Sequence, residues 1–157
     1  MAASTFTGTR AEADFPVFKA HGSGVMQVAR GVFTLTEVPE VGDVWKLCKL
    51  PAGAVVIGGY FAATDIDTGT ETLDIDLGWA ANGAESADPD GFGNFGLISG
   101  DSPGVDVTNG VVAVQRNLGF TSPPTFTRET VVQAQCVAVA AAGGTGTIAA
   151  VIHYVVP

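Results

Sequence analysis

The sequence predicts an all-β protein built as a β-sandwich. The first observation is strict alternation over residues 72–79, where Leu73, Ile75, Leu77 and Trp79 share one face and Thr72, Asp74 and Asp76 the other. The second is composition, because 46% of the 157 residues are hydrophobic and only 15% are charged, too few to cover exposed helix faces. The third is the distribution of turn residues, because glycine-rich and proline-rich segments separate short apolar runs.

The chain divides into an N-terminal arm, residues 1–24, and a single β-sandwich domain, residues 25–157. A chain of this length can bury about 68–70% of its unfolded surface, which is enough for one core. The arm is rich in Ala, Thr, Ser and Gly. Two interpretations of it stay open: a poorly ordered terminus, or an extended strap whose phenylalanines bind a neighbouring subunit.

Four strands are predicted before residue 80. Residues 25–36 form a strand with a bulge or bend at Gly31, and a loop follows over 37–43. Residues 44–50 and 55–63 form strands on either side of a turn, and Gly58-Gly59 in the second allows a kink or close packing. The fourth strand is the alternating run itself, with its acidic residues on the solvent side.

A long loop is predicted over residues 80–110, which are rich in Gly, Asp, Asn, Ser and Pro. Loops of this length are uncommon in compact domains, so we expect it to contain a short helix or strand and to lie at an interface. Residues 111–115 form a short strand. A loop over 116–128 follows, in which Ser122-Pro-Pro124 prevents regular pairing.

Residues 130–157 carry no formal charge and are predicted to form a β-hairpin. The segment exceeds the roughly 20 residues of a membrane helix, but its early glutamines, the Gly143-Gly144-Thr145-Gly146 sequence and its β-branched residues favour two strands. We expect His153 to bond Gln133 or Gln135 across this hairpin. The last strand is apolar on both faces, which indicates the middle of a sandwich or a subunit contact.

Charge and hydropathy restrict the partners. The net charge of −9, the pI of about 4.3 and the scattered positions of seven basic residues argue against nucleic acid and against an anionic membrane. The mean hydropathy of +0.34 predicts that apolar surface is covered by copies of the chain or by a partner. The N-terminus lacks the pattern of a secretory signal, so synthesis in the cytoplasm is expected. Cys48 and Cys136 are predicted to be small buried hydrophobes.

No catalytic, metal or cofactor site is predicted. Between Lys49 and Arg116 lie ten acidic residues and no basic one, and the segments 65–69 and 88–91 are similar to calcium loops. Neither fits the spacing of an EF-hand, so the prediction is a solvated acidic face. Asp74 and Asp76 share the solvent side of a strand with no sign of a pocket, and the G-x-G-x-x-G match at 91–96 lacks the strand–turn–helix context of a dinucleotide site. We therefore predict that the chain is not an enzyme.

A resemblance to a known group of proteins covers residues 44–98. It is carried by Leu50-Pro-Ala-Gly-Ala54, Val55-Val-Ile-Gly-Gly-Tyr60, Asp65-Ile-Asp-Thr-Gly69, Thr72-Leu-Asp-Ile-Asp-Leu-Gly-Trp79 and Ala87-Asp-Pro-Asp-Gly-Phe92. These stretches resemble head decoration (capsid cement) proteins of tailed bacteriophages. The resemblance implies a jelly-roll-like homotrimer that binds the major capsid protein on the outer surface of the phage head and stabilises the virion.

This resemblance assigns three candidate interfaces. The arm would bind a neighbour through Phe6, Phe15 and Phe18; the long loop would face the capsid with Phe92, Phe95, Leu97 and Ile98; and Val151, His153 and Val155 would join subunits. The alternative is a head-fibre or tail-associated β-sandwich module that binds a host glycan or receptor. Exposed aromatic side chains would favour that alternative, whereas the inward position predicted for Trp79 speaks against it.

Overall fold

The fold is described from a computed structural model, for residues 3–12, 24–64, 66–68, 72–97, 114–120 and 122–157. For residues 95–97 and 114–117 the description is restricted to the backbone. The strands are β1 (Thr5–Thr7), β2 (Gln27–Leu35), β3 (Val44–Leu50), β4 (Val55–Ala63), β5 (Asp74–Trp79), β6 (Asp88–Leu97), β7 (Val114–Asn117), β8 (Thr130–Ala138) and β9 (Gly146–Val155). A short 3₁₀ helix spans Thr9–Ala11.

The strands form two sheets that pack face to face. One sheet has five strands in the order β1-β3-β8-β5-β6, and the other has four in the order β2-β9-β4-β7. From β2 to β9, every pair of consecutive strands except β5 and β6 is divided between the two sheets, so most connections cross from one sheet to the other. The predicted all-β sandwich is confirmed.

The core lies between the sheets and is made by alternate residues of each strand. Ile75 and Leu77 of β5 and Ile148 and Ile152 of β9 are fully buried, as strand periodicity requires. At one end, Trp79 packs edge to face against two other aromatic rings, Phe92 at 5.0 Å and Phe126 at 5.1 Å between centroids. The inward position predicted for the Leu73–Trp79 face is confirmed.

The turn between β3 and β4 carries the chain from one sheet to the other. Gly53 has a φ of +84°, and the Ala54 N–H donates to the Pro51 carbonyl at 3.2 Å. A positive φ at the third turn position favours glycine, which explains why both flanking strands begin and end where the sequence predicts.

Gly31 does not form the predicted bulge, because β2 pairs with β9 in continuous register from Gln27 to Leu35. A Cβ at Gly31 would instead collide with the backbone of Leu47 on β3, in the opposite sheet, and lie 2.7 Å from the Leu47 Cβ. The glycine therefore allows the two sheets to approach closely. The bulges lie elsewhere, for example between Lys46 and Cys48.

The predicted loop after residue 80 contains a ten-residue strand, β6, and the glycines at 91–96 belong to that strand, not to a turn. A Cβ at Gly91 would overlap the Trp79 ring, so the glycine makes room for the indole. Phe92 is buried beside that ring, which places it in the core. The alternation of small and large residues in this segment thus reflects packing against Trp79.

The predicted C-terminal hairpin is wrong. β8 lies between β3 and β5 in one sheet, whereas β9 lies between β2 and β4 in the other. The connection over residues 139–145 crosses the core edge, with positive φ at Gly143 and Gly144. His153 consequently lies opposite Val28 and Gly58, away from Gln133 and Gln135, and the predicted hydrogen bond is absent from the described residues.

The start of the chain packs on its own subunit. β1 pairs in parallel with β3, and the Phe6 ring lies 6.0 Å from that of Phe33. The buried Asp43 carboxylate accepts the Ser4 N–H at 2.8 Å and the Glu40 N–H at 2.9 Å, which fastens β1 to the loop before β3. Residues 5–11 are thus integral to the sandwich. Phe15 and Phe18 lie outside the described residues, so an arm there stays a prediction.

Candidate functional site

The outer face of the four-stranded sheet groups several exposed apolar side chains of the described residues. Cross-strand rows place Val28 beside His153, and Val32 beside Ala149. Val28 is 53% exposed, Val32 37%, and Ile57, at the bulge of β4, 46%. We call this surface, with Val155 at its end, the apolar outer face. Single exposed apolar residues are ordinary, but a group on one sheet face is typical of an interaction site.

The three residues predicted to join subunits all belong to this sheet face. Val151 is buried because Arg30 of β2 and Tyr60 of β4 flank it directly, and it offers little surface to a partner. His153 and Val155 are half-buried. Sequence reasoning missed Val28, Val32 and Ile57, which are more exposed than these three. The sequence of β2 does place apolar residues on both of its faces. Their position beside the last strand became evident only from the pairing of β2 with β9.

Phe92 is excluded from the predicted capsid-facing surface because it is fully buried in the core. The backbone of Phe95 and Leu97 belongs to β6, and Ile98 lies outside the described residues. The loop before β6 is held by Glu85, whose carboxylate accepts the Thr127 N–H at 2.9 Å and the Thr127 hydroxyl at 2.6 Å and contacts the Asn82 side chain. These hydrogen bonds lower the pKa of Glu85.

Asp67, in one of the two loops similar to calcium sites, is a structural anchor. Its carboxylate accepts backbone N–H groups from Thr72 at 2.7 Å, Leu73 at 3.1 Å, and Ala141 and Ala142 at 3.2 Å each. Burial opposes ionisation, but these donors outweigh it and hold the pKa of Asp67 well below its usual range. The side chain thereby ties the segment before β5 to the β8–β9 connection.

The outer face of the five-stranded sheet carries the second notable group, Asp74 and Asp76. The sequence places both on the solvent side of β5, yet Asp76 is only 8% exposed and Asp74 is half-buried. Neither Asp74 Oδ1 nor Asp76 Oδ1 has a hydrogen-bond partner among the described residues. Burial, together with the nearby charges of Asp74 and Asp90, raises the pKa of Asp76 to about 6. Burial also raises the pKa of Asp74.

Clusters of three metal ligands, membrane helices and reactive cysteines are the remaining classes of feature in the described part of the chain. There, no three His, Cys, Asp or Glu side chains are grouped as metal ligands. Nor does that part contain a helix with the length and hydropathy needed to cross a membrane. Cys48 and Cys136 are free and buried, as predicted, and burial raises the pKa of their thiols to about 12 and about 11, respectively.

Comparison with solved structures identifies chains of the same fold. One belongs to the capsid of Ralstonia phage GP4: it matches with a TM-score of 0.74 and 20% identity over 98% of each chain. The chain has the fold of a phage capsid component. A chain of the cyanophage Pam1 capsid asymmetric unit matches with a TM-score of 0.67 and 21% identity, over 90% of this chain and 93% of that one.

A third chain comes from the acid-stable capsid of the Helicobacter pylori bacteriophage KHP30. It matches with a TM-score of 0.54 and 18% identity, over 87% of this chain and 92% of that one. No family model matches the sequence, and no curated protein does. The likeness therefore rests on the path of the chain through the two sheets and extends over nearly its whole length.

Proposed function

We propose that the chain is a structural protein of a phage virion, and specifically a decoration (cement) protein that binds the outer surface of the head. The observation that carries the proposal is the shared fold with chains from three phage capsids, over 87–98% of this chain. The sequence resemblance over residues 44–98 points to the same class. The proposal assigns the chain no catalytic role.

We also propose that the chain assembles into a homotrimer, and the apolar outer face supports such self-association. Exposure of Val28, Val32 and Ile57 to water is unfavourable. Covering them with another subunit would stabilise the assembly by roughly 25 cal/mol per Å² of apolar surface. The proposed contacts with the major capsid protein lie at the end of β6 and directly after it, at Phe95, Leu97 and Ile98. Phe15 and Phe18 would bind a neighbouring subunit.

The mechanism is mass action. A protein that binds the mature shell but not its dissociated or ruptured forms stabilises the shell by RT ln(1 + [L]/Kd), which is about 2.7 kcal/mol per site at 100 times Kd. Repeated over many equivalent positions, this brace opposes the outward pressure of packaged DNA. Cement function therefore requires a folded, self-associating block and no chemistry.

Mixing the purified protein with undecorated phage heads tests the proposal. We expect co-sedimentation with the heads, a higher rupture temperature, and a free species of three times the chain mass of 15.9 kDa. Val28→Asp and Ile57→Asp should weaken self-association. Val137→Asp should not, because Val137 is similarly exposed, at 43%, but belongs to β8 in the other sheet. A monomer that leaves heads unbound would refute the proposal.

The alternative, a fibre or tail module that binds a glycan or receptor, lacks support among the described aromatic residues. Trp79 is committed to the core through Phe92 and Phe126, and its Nε1–H donates to the Ser86 carbonyl at 3.0 Å. Stacking on a sugar needs a free ring face. Glycan binding without head binding would nevertheless select this alternative in the same experiment.

A further inference from the structure

Two carboxylates on β5 occupy an environment that ordinarily disfavours charge. Asp74 and Asp76 are two residues apart on one strand, so their side chains project from the same sheet face. Asp76 is more than nine-tenths buried, and one oxygen of each carboxylate is shielded from solvent without a hydrogen-bond donor among the described residues. A buried carboxylate is normally paired, hydrogen-bonded or bound to a metal.

The neighbouring strands, β6 and β8, bring amide side chains to this pair and contain no lysine or arginine. Asp76 lies opposite Gln135 on β8 and opposite Asn94 on β6. Asp74 lies opposite Ala138 and Leu97, and a third carboxylate, Asp90 of β6, is close enough to disfavour the ionisation of Asp76. β3 adds two lysines to this face, Lys46 opposite Gln133 and Lys49 opposite Val131. Both are separated from β5 by β8, and the Lys49 ammonium lies 3.4 Å from the Glu129 carboxylate.

We propose that Asp74 and Asp76 bind a divalent cation of the calcium or magnesium class on the outer face of the five-stranded sheet. Both ions prefer carboxylate, amide and water oxygens, and a carboxylate pair flanked by Asn94 and Gln135 provides that kind of environment. A lysine or arginine from a partner is a poorer fit, because one oxygen of each carboxylate is already covered and a long side chain has less access than a small ion. The inference concerns the isolated chain and does not depend on a role in the virion.

Calorimetry and thermal unfolding test the site with the purified protein at pH 7.5. The protein is first stripped with EDTA and then exposed to Ca²⁺ or Mg²⁺ in separate arms. We expect one bound ion per chain from at least one of the two metals. We also expect the unfolding midpoint to rise by about 5–10 °C when the metal is 100-fold above its dissociation constant.

The variants Asp74→Asn and Asp76→Asn remove charge with little change of shape and should lose this response. Each should be at least as stable as the unmodified protein in EDTA, because an uncompensated carboxylate has been removed. The matched control is Glu37→Gln, which removes one negative charge from an exposed position and should keep the full response.

Three results would overturn the proposal. The first is that the unfolding curves in Ca²⁺ and in Mg²⁺ both superimpose on the curve in EDTA. The second is a full response in Asp76→Asn and Asp74→Asn, which would attribute the effect to general screening of the net charge of −9. The third is loss of the response in Glu37→Gln, which would give the same attribution. If one aspartate variant fails to fold, the other decides the question.

Discussion

Gly31→Ala tests how closely the two sheets approach each other at β2 and β3. The added methyl group would point from β2 into the opposite sheet and meet the carbonyl group and Cβ of Leu47, the latter at 2.7 Å. Ordinary contacts between carbon atoms are about 3.5–4.0 Å, so a strand must move by roughly 1 Å. Leu47 is fully buried, and its contacting atoms include backbone, so a rotamer change does not relieve the clash.

The magnitude follows from two opposing terms. Overpacking of a core costs about 1–3 kcal/mol, and the backbone contact places this site in the upper half of that range. Replacing glycine with alanine also lowers the conformational entropy of the unfolded chain, which stabilises the folded protein by about 0.4–1 kcal/mol. The net expectation is a loss of about 1–2.5 kcal/mol of unfolding free energy.

Gly58→Ala is the matched control. Gly58 also lies in the four-stranded sheet, its φ is outside the left-handed region, and no described heavy atom lies within 4 Å of a Cβ built there. Only the entropic term remains, so this variant should gain about 0.4–1 kcal/mol. The entropic term is common to both variants, so they should differ by the overpacking cost of about 2–3 kcal/mol, or roughly 1–1.5 M in urea midpoint for an m value near 2 kcal/mol/M.

Urea unfolding at matched protein concentration measures the difference, because self-association would otherwise shift both midpoints. Both variants should keep the m value of the unmodified protein, which shows that the same surface is exposed on unfolding. Equal stability of Gly31→Ala and Gly58→Ala would refute the close sheet contact at Gly31.

Three further predictions concern buried ionisable groups. The folded-state pKa of Asp76 is raised to about 6, so its ionisation opposes folding above that pH, and this effect disappears as the pH falls towards 4. In EDTA, Asp76→Asn should therefore flatten the slope of unfolding free energy against pH between about 4 and 6, and an unchanged slope would contradict the assignment. Asp67 has a lowered pKa, so the stabilisation it provides is present above about pH 4 and is lost in acid. Asp67→Ala should lower the unfolding free energy by about 2–4 kcal/mol at pH 7, because four backbone N–H groups lose their acceptor, and a loss below about 0.5 kcal/mol would contradict that role. Cys48 and Cys136 should resist a thiol reagent in the folded protein and both react in denaturant, and rapid labelling of the folded protein would show that the sheets open.

Strand positions could be predicted from the sequence wherever local chemistry determines them. The strands Val44–Leu50 and Val55–Ala63 have the predicted bounds because a turn with positive φ at Gly53 separates two largely apolar runs. The burial of Leu73, Ile75 and Leu77 likewise follows from period-two alternation within seven residues. In these segments the determining residues are close in the sequence.

Glycine was misread where its partner is distant in the sequence. A glycine within a strand indicates either a bulge or a close approach by another group. At Gly31 the approaching group is Leu47, and at Gly91 it is the Trp79 ring. Neither partner can be identified from the glycine and its neighbours, so neither close approach was predicted, and the bulge predicted at Gly31 was wrong.

Asp76 shows why the candidate site was only half predictable. Alternation correctly places Asp74 and Asp76 on the outer face of β5. Exposure, however, also depends on the strands at either side, and β5 lies between β8 and β6 instead of at an edge. Position within the sheet therefore buries Asp76 and half-buries Asp74, and it raises the pKa of both carboxyl groups, which single-strand reasoning did not provide.

The failed hairpin has the largest consequence for function. The sequence correctly indicates that the last strand is apolar on both faces, but pairing β8 with β9 would have left one edge of each free for other strands. In the observed fold β9 is central, between β2 and β4, and its inner residues Ile148 and Ile152 fill the core. Its outer face, with Val28 and Val32 of β2 beside it, is then apolar surface that no described element of the subunit covers. That surface is the reason to expect self-association, and the loss of self-association in Val28→Asp but not in Val137→Asp would locate it there.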